Sequence, residues 1–399
     1  LSTLGIVTLV GWLGVVAAAL VFRGRQFATF AGVFTGVYSL IALGVAPAFA
    51  APPAVAAAFL GLHALVYVNF AGLARPQMRG FAYRVVVSWP ASFFAAGTLL
   101  ALPWALALAF GLGRWAALTA WFPYLLAGAG LVQSLAAKRE HLHLVVGDPP
   151  APGPAPHPHG EHRAERPLRI VQITDPHLGP FMSVARLRGF AERAVAEDPD
   201  LVLLTGDFLT MESQSDPRLL SEALAPLRAL EGRVFACRGN HDHEAPETVA
   251  RALAECGVRL LIDESVTVET PAGPVQIVGI DFTFRDRAAH LARVCAAHPR
   301  RDGHLRVVLL HDPGAFRHLP EGHGDLVLSG HTHGGQVGLL SLGLQWTFLR
   351  LFGLRIPDHG YWARGRDRMY VHRGTGHYGF PLRLGVPAEE SVLHVHRVE

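Results

Sequence analysis

The chain has 399 residues, half of them hydrophobic and 17% charged, against the roughly 25% charged residues usual in soluble domains. A net charge of +3 gives no electrostatic case for nucleic acid, and no aromatic and basic interleaving of the single-strand binders is seen. Lys138 is the sole lysine, which excludes a Walker A phosphate loop and a Schiff-base lysine in the part of the chain downstream of it.

The shortage of charge is concentrated at the N-terminus. No Asp or Glu occurs in 1–137, where the only basic residues are Arg23, Arg25, Arg75, Arg79, Arg84 and Arg114. Apolar runs at 1–22, 27–50, 54–73, within 85–110 and at 115–137 each approach the roughly 20 residues that cross a bilayer. We therefore expect a transmembrane helical region of five spans over 1–140. Arg23 and Arg25, then Arg75, Arg79 and Arg84, then Lys138 and Arg139 fall in alternate links. The excess of positive charge on cytoplasmic links puts the C-terminal remainder of the chain in the cytoplasm, as expected of a multi-pass protein of a bacterial inner membrane. His63 and Asn69 are the polar residues within spans that would suggest a pathway; neither is acidic or obviously paired, so a transport module is the weaker reading.

Residues 141–167 read as a linker. The stretch "GDPPAPGPAPHPHGEHRAERP" is too rich in Pro, Gly, Ala and His to pack a core. Cys237, Cys256 and Cys295 form no CxxC pair, so no disulfide framework is expected.

From residue 168 the pattern changes. Five segments share one design, an apolar strand-like run ending in polar residues beside a glycine or a turn: "IVQITDPHLG", "LVLLTGDFLT", "VFACRGNHDH", "VVLLHDPG" and "LVLSGHTHGG". Helix-like stretches at 184–197 and 247–256 alternate with them, which predicts an α/β sheet. Sites in such sheets form beyond the carboxyl ends of strands, so the five tips should converge. They carry Asp175, His177, Asp207, Asn240, His241, His311, His331 and His333. Two carboxylates, an amide carbonyl and four imidazoles, with His241 left over, are too many ligands for one tetrahedral zinc and fit two octahedral ions. His331 and His333 can serve different ions because their rings aim apart.

Asp175-Pro-His177, Gly206-Asp207, Gly239-Asn240-His241-Asp242, His311 and Gly330-His331-Thr332-His333 follow the order of motifs in the calcineurin-like metallophosphoesterase superfamily, which the region 168–399 resembles. The ending "YVHRGTGHYGFPLRLGVPAEE" and the extended "GHTHGGQ" resemble its membrane-attached phosphohydrolases, which include transmembrane proteins with a metallophosphoesterase domain and some UDP-2,3-diacylglucosamine hydrolases. Pro176 stands where that family commonly has Leu. The resemblance implies a four-layer α-β-β-α sandwich. It also implies two divalent ions, with manganese the first expectation and zinc or iron the alternatives. Asp175, His177, Asp207 and His333 would hold one ion, and Asp207, Asn240, His311 and His331 the other.

For chemistry beyond the ligands, His241 is expected to stabilise the phosphoryl group or protonate the leaving oxygen, and Asp242 to orient it. Arg238, with Asn240, is expected on the substrate phosphate. Asp281, Asp312 and His377 read as turn or packing residues. The segment "LLSLGLQWTFLRLFGLRIP" could dock on lipid or form a buried core element. The expected substrate is a phosphoester, lipid-linked in one version such as UDP-2,3-diacylglucosamine, with no nucleic acid and no obligate protein partner. A catalytically silent metal-bound scaffold on a membrane transport module is the alternative.

Overall fold

A computed structural model describes residues 2–147, 166–354 and 356–398; most of the expected linker and Arg355 lie outside them. The chain divides into two compact units, one of Leu1–Leu135 with Gly379–Leu384, the other of Ala136–Tyr378 with Gly385–Glu399.

The first unit is helical because it has little else to be: nearly every side chain is apolar, and only in a helix can such a segment satisfy its backbone in hydrocarbon. Among the described residues four helices are long and apolar enough to cross a membrane, Thr3–Phe22, Arg25–Phe49, Pro53–Leu73 and Gly113–Leu135. A fifth candidate, Phe81–Leu100 with Leu102–Ala109, is bent by 53°. Pro103, at the start of its second segment, lacks the N–H that would continue the first. His63 is buried inside this unit, with Nδ1 2.9 Å from the Tyr38 hydroxyl and Nε2 2.9 Å from that of Thr8. Both nitrogens are satisfied, which makes it a packing element of the helical unit.

Among its described residues the second unit contains twelve strands in two six-stranded sheets. In chain order they are β1 (Ala137–Gly147), β2 (Leu168–Ile173), β3 (Leu201–Leu204), β4 (Val234–Ala236), β5 (Arg259–Leu260), β6 (Glu264–Thr270), β7 (Gly273–Ile280), β8 (Leu305–Leu310), β9 (Leu326–Ser329), β10 (Gly360–Arg364), β11 (Asp367–Val371) and β12 (Ala388–Val398). One sheet runs β1-β12-β2-β3-β4-β5 and the other β10-β11-β9-β8-β7-β6. Alternation along the strands sorts their side chains. Ile170, Leu201, Leu203, Val307, Leu309, Leu326 and Leu328 meet between the sheets. Val171, Val202 and Leu204 face the outer helices Val184–Ala196, Pro217–Leu224 and Pro246–Glu255. Val308 and Leu310 face Arg287–Ala297. These are the four layers, helix, sheet, sheet, helix.

The start of this unit differs from the expected boundary. Residues 137–147, assigned from sequence partly to the helical region and partly to the linker, form β1, paired in parallel with β12 from Ala137↔Ala388 to Gly147↔Val398. Its outward His141 and His143 alternate with Leu142, Leu144 and Val146, which contribute to the core between the sheets, the period of a half-buried strand.

Candidate metal centre

Strands β2, β3 and β4 run parallel in one sheet, and β8 and β9 run parallel in the other. Their carboxyl ends deliver the polar tips to a single place. Asp175 and His177 leave β2, Asp207 leaves β3, Asn240 comes after β4, His311 ends β8, and His331 and His333 come after β9. Two groups of ligand atoms result: Asp175, His177 and His333, and Asp207, His311 and His331, all atoms of each group lying within 4.8 Å of one another.

The chain bends sharply to do this. Asp175, His177, Asp207, His331 and His333 all have positive φ, between 45° and 68°. Asp and His enter that region more readily than most residues, and such strain gathers where surroundings over-determine the backbone. The glycines of the motifs make room. A Cβ on Gly330 would lie 2.1 Å from an Asp175 carboxylate oxygen, and one on Gly239 2.1 Å from Asp207 Oδ1.

Distances between donors are those of a coordination shell. His177 Nε2 lies 3.2 Å from His333 Nε2, and His333 Nε2 3.4 Å from Asp175 Oδ1. In the other group His311 Nε2 is 3.2 Å from Asn240 Oδ1 and 3.2 Å from His331 Nδ1. Asp207 Oδ2 lies 3.3 Å from His311 Nε2 and 3.7 Å from His177 Nε2, between the two groups. Ligands about 2.1 Å from an octahedral ion sit about 3.0 Å from their neighbours, so the spacing fits. The chemistry fits too. His311 Nδ1 donates to the Thr205 carbonyl at 2.6 Å, which turns the lone pair of Nε2 toward Asn240 Oδ1 and Asp207 Oδ2. Three acceptors then face one another and require a positive charge among them.

Electrostatics agree. Burial opposes charge on His311, yet Asp207 and then Asp175 hold its pKa up at about 10, so the positive charge these acceptors call for is met either by a proton on Nε2 or by a metal ion that replaces it. Burial would likewise raise Asp207, but His311, His177 and His241 keep its carboxyl well below the usual carboxylate range. His177 and His331 are pushed down to about 3 and 4, by burial and, for His331, by the charge of His311. They stay neutral, the form that binds metal.

The remaining expected residues fall in different places. His241 lies beside the first group, its ring 5.6 Å from that of His177 and stacked at 4.7 Å on Tyr378. Its backbone N–H donates to Asp207 Oδ1 at 2.9 Å, and its Nδ1 is held by Glu244 at 2.8 Å. Glu244, not Asp242, therefore orients it. Asp242 is fully buried and accepts the backbone N–H groups of Asp207, Phe208 and Gly239 at 2.7, 2.9 and 2.8 Å; burial and then the Asp207 charge push its carboxyl up to about 7. It braces the loop that carries Asp207. Arg238 does not offer a vacant fork: Asp281 takes it with both oxygens, at 3.0 and 2.5 Å. Asp312 pairs with Arg287 at 2.8 Å and His377 packs on Phe181. Glu244, Tyr378 and the Thr205 carbonyl were missed from sequence. Only Glu244 carried a signal, three residues after His241 in a single turn.

A family model described as calcineurin-like phosphoesterase matches residues 168–335. The Bacillus subtilis protein YkoQ, an uncharacterised metallophosphoesterase, is 34% identical over 56% of this chain and 81% of its own length. The chain belongs to the calcineurin-like metallophosphoesterases. The phosphodiesterase YaeI of Escherichia coli is 28% identical over 57% of this chain and 82% of its own. For the UDP-2,3-diacylglucosamine pyrophosphatase LpxG of Chlamydia muridarum the values are 27%, 57% and 83%. Relatives also include transmembrane proteins with a metallophosphoesterase domain. This metallophosphoesterase spans 61% of the length of the Helicobacter pylori relatives it matches.

Proposed function

We propose that the chain is a membrane-anchored phosphoesterase that hydrolyses a phosphomonoester, phosphodiester or pyrophosphate bond at a two-metal centre. The supporting observation is the Asp207 carboxylate oxygen set between two groups of ligand atoms at the carboxyl ends of five strands. A pair of divalent ions, manganese in our reading, would supply an activated water and neutralise phosphoryl oxygens. The chain's own residues do the rest. Asp175, His177 and His333 fix one end of the phosphoryl group's seat, and Asn240, His311 and His331 the other. Glu244 accepts from His241 Nδ1, which leaves Nε2 to give a proton to the departing oxygen.

A lipid-linked phosphoester, of the kind named for the Chlamydia relative, suits a chain whose apolar helices are long enough to cross a bilayer. The charge of the links puts the catalytic domain on the cytoplasmic side in this reading. The test is hydrolysis by the full chain in detergent with Mn²⁺, on bis-p-nitrophenyl phosphate and a panel from nucleotides to phospholipids and UDP-diacylglucosamine. Asp207→Asn should lower every active rate by more than about a hundredfold, beyond the loss from a residue that merely supports a ligand. Full activity in that variant, or no metal-dependent rate in the wild type, overturns the proposal, the second outcome leaving a scaffold.

A further inference from the structure

A cavity of about 500 Å³ opens beside the metal centre, with His331 and Thr332 at one end. Phe316, Leu349, Ile356, Pro357 and Trp362 give it an apolar lining. Arg287, Arg317, Arg364 and Asp312 also line it, Asp312 paired with Arg287 at 2.8 Å. The volume falls within the range of small-molecule sites, and apolar side chains beside a net positive lining, next to the ligand His331, suit a ligand that is anionic at one end and hydrocarbon at the other.

Leu349, Ile356 and Pro357 belong to the segment 339–357, which could have been core but whose described residues lie largely at the surface. Leu342 is 74% exposed, Trp346 60%, Leu351 66% and Phe352 66%. No acidic residue occurs between Asp325 and Asp358. A patch of this kind in a soluble unit calls for an apolar partner. Nor is the segment loosely attached. Asp358, fully buried, accepts from Arg350 at 2.8 and 3.1 Å and is hydrogen-bonded to the Thr347 hydroxyl, while its backbone carbonyl takes the Thr332 hydroxyl at 2.7 Å. Thr332 lies between the ligands His331 and His333. The wall that carries Leu349 and Ile356 is thus bonded to the segment that carries the metal ligands, at a fixed distance from them.

We infer that this groove seats a hydrocarbon tail of the substrate itself, an alkyl or acyl chain attached to the phosphoester that reacts at the metal centre. The inference rests on the phosphoesterase reading and names its substrate class. Binding energy from the tail would then be spent on placing the phosphoryl group. A general affinity of the exposed patch for membrane lipid is a different occupant, and the measurement separates the two.

The experiment uses the full chain in lipid nanodiscs with Mn²⁺ and a series of alkyl 4-nitrophenyl phosphates from methyl to octyl. In the wild type kcat/KM should rise with chain length, by up to about fourfold for each methylene buried, and then level off when the groove is full. Leu349→Asp and Ile356→Asp should each flatten that rise while bound metal, measured by elemental analysis, is retained. Ile356 is at the surface, so its variant is not expected to disturb folding. Partition of long esters into the nanodisc affects wild type and variants alike. A wild type with no dependence on chain length, or variants with a rise as steep as the wild type, overturns the tail groove alone. Absence of hydrolysis for these diesters alone overturns the tail groove, and absence for them and for every member of the nucleotide and lipid panel overturns the phosphoesterase reading and this inference with it.

Discussion

At the scale of single residues, the glycines of the motifs are as constrained as the ligands. Gly330 has no space for a methyl group, since its Cβ would be 2.1 Å from Asp175 and 2.3 Å from the Thr174 hydroxyl that donates to the same carboxylate. Gly330→Ala should therefore displace Asp175 and lower bound metal from two ions per chain to about one, read by elemental analysis. Asp242 makes a different contribution. Removing its carboxylate in Asp242→Ala strips three buried backbone N–H groups of their acceptor, a loss of roughly 3 kcal/mol or more. The thermal transition of the domain should fall accordingly. For His241 the decisive comparison is between leaving groups. If its Nε2 protonates the departing oxygen, His241→Gln should slow alkyl esters about a hundredfold and 4-nitrophenyl esters far less, because nitrophenolate leaves without a proton. An equal loss for both would assign His241 to phosphoryl binding instead. The residues that the structure gathers at the centre could be read as candidates because each follows an apolar run. The partners of Arg238 and Asp242 were not, since what a charged side chain pairs with depends on loops brought together by folding.

Among the elements, the parallel strands β2, β3, β4, β8 and β9 do most to build the site, and their short β-rich runs were readable one by one. Their division between two sheets was not, since alternate residues are apolar on both faces and the runs carry no mark of which face meets which layer. Strand β1 was overlooked for a related reason. Its alternating His-Leu-His-Leu is a strand signal, but its partner β12 lies some 250 positions away and the flanking segments are helix and proline-rich chain. The pairing leaves His141, His143, His394 and His396 stacked in a ladder, with ring centroids 4.8 to 5.6 Å apart. Burial, then His143, His141, Arg169 and His396, depress His394 to about 4, while Glu197 stands 3.9 Å from His141. A histidine whose folded pKa lies below its unfolded value takes up protons on unfolding, so its contribution to stability is present above about 6.5 and lost as pH falls toward 4. The unfolding midpoint should drop over that window, and drop less in His394→Gln. Hydrogen exchange at the amides of β1 should quicken over the same range.

For the molecule as a whole, the side of the membrane on which the metal centre lies turns on the bent pair Phe81–Leu100 and Leu102–Ala109. The two segments are apolar enough to cross a membrane when taken together, and we propose that they form one span with a 53° bend, the fifth. Seven basic residues, Arg23, Arg25, Arg75, Arg79, Arg84, Lys138 and Arg139, then share one side and Arg114 alone is opposite. If the pair turned back instead, Lys138 and Arg139 would change sides and oppose the others, against the bias that orients such proteins. Protease added to inside-out vesicles should digest the C-terminal domain, and the same protease should leave it intact in right-side-out vesicles. Protection in the opposite sense would mean that the pair re-enters, and that the substrate is met on the outer side.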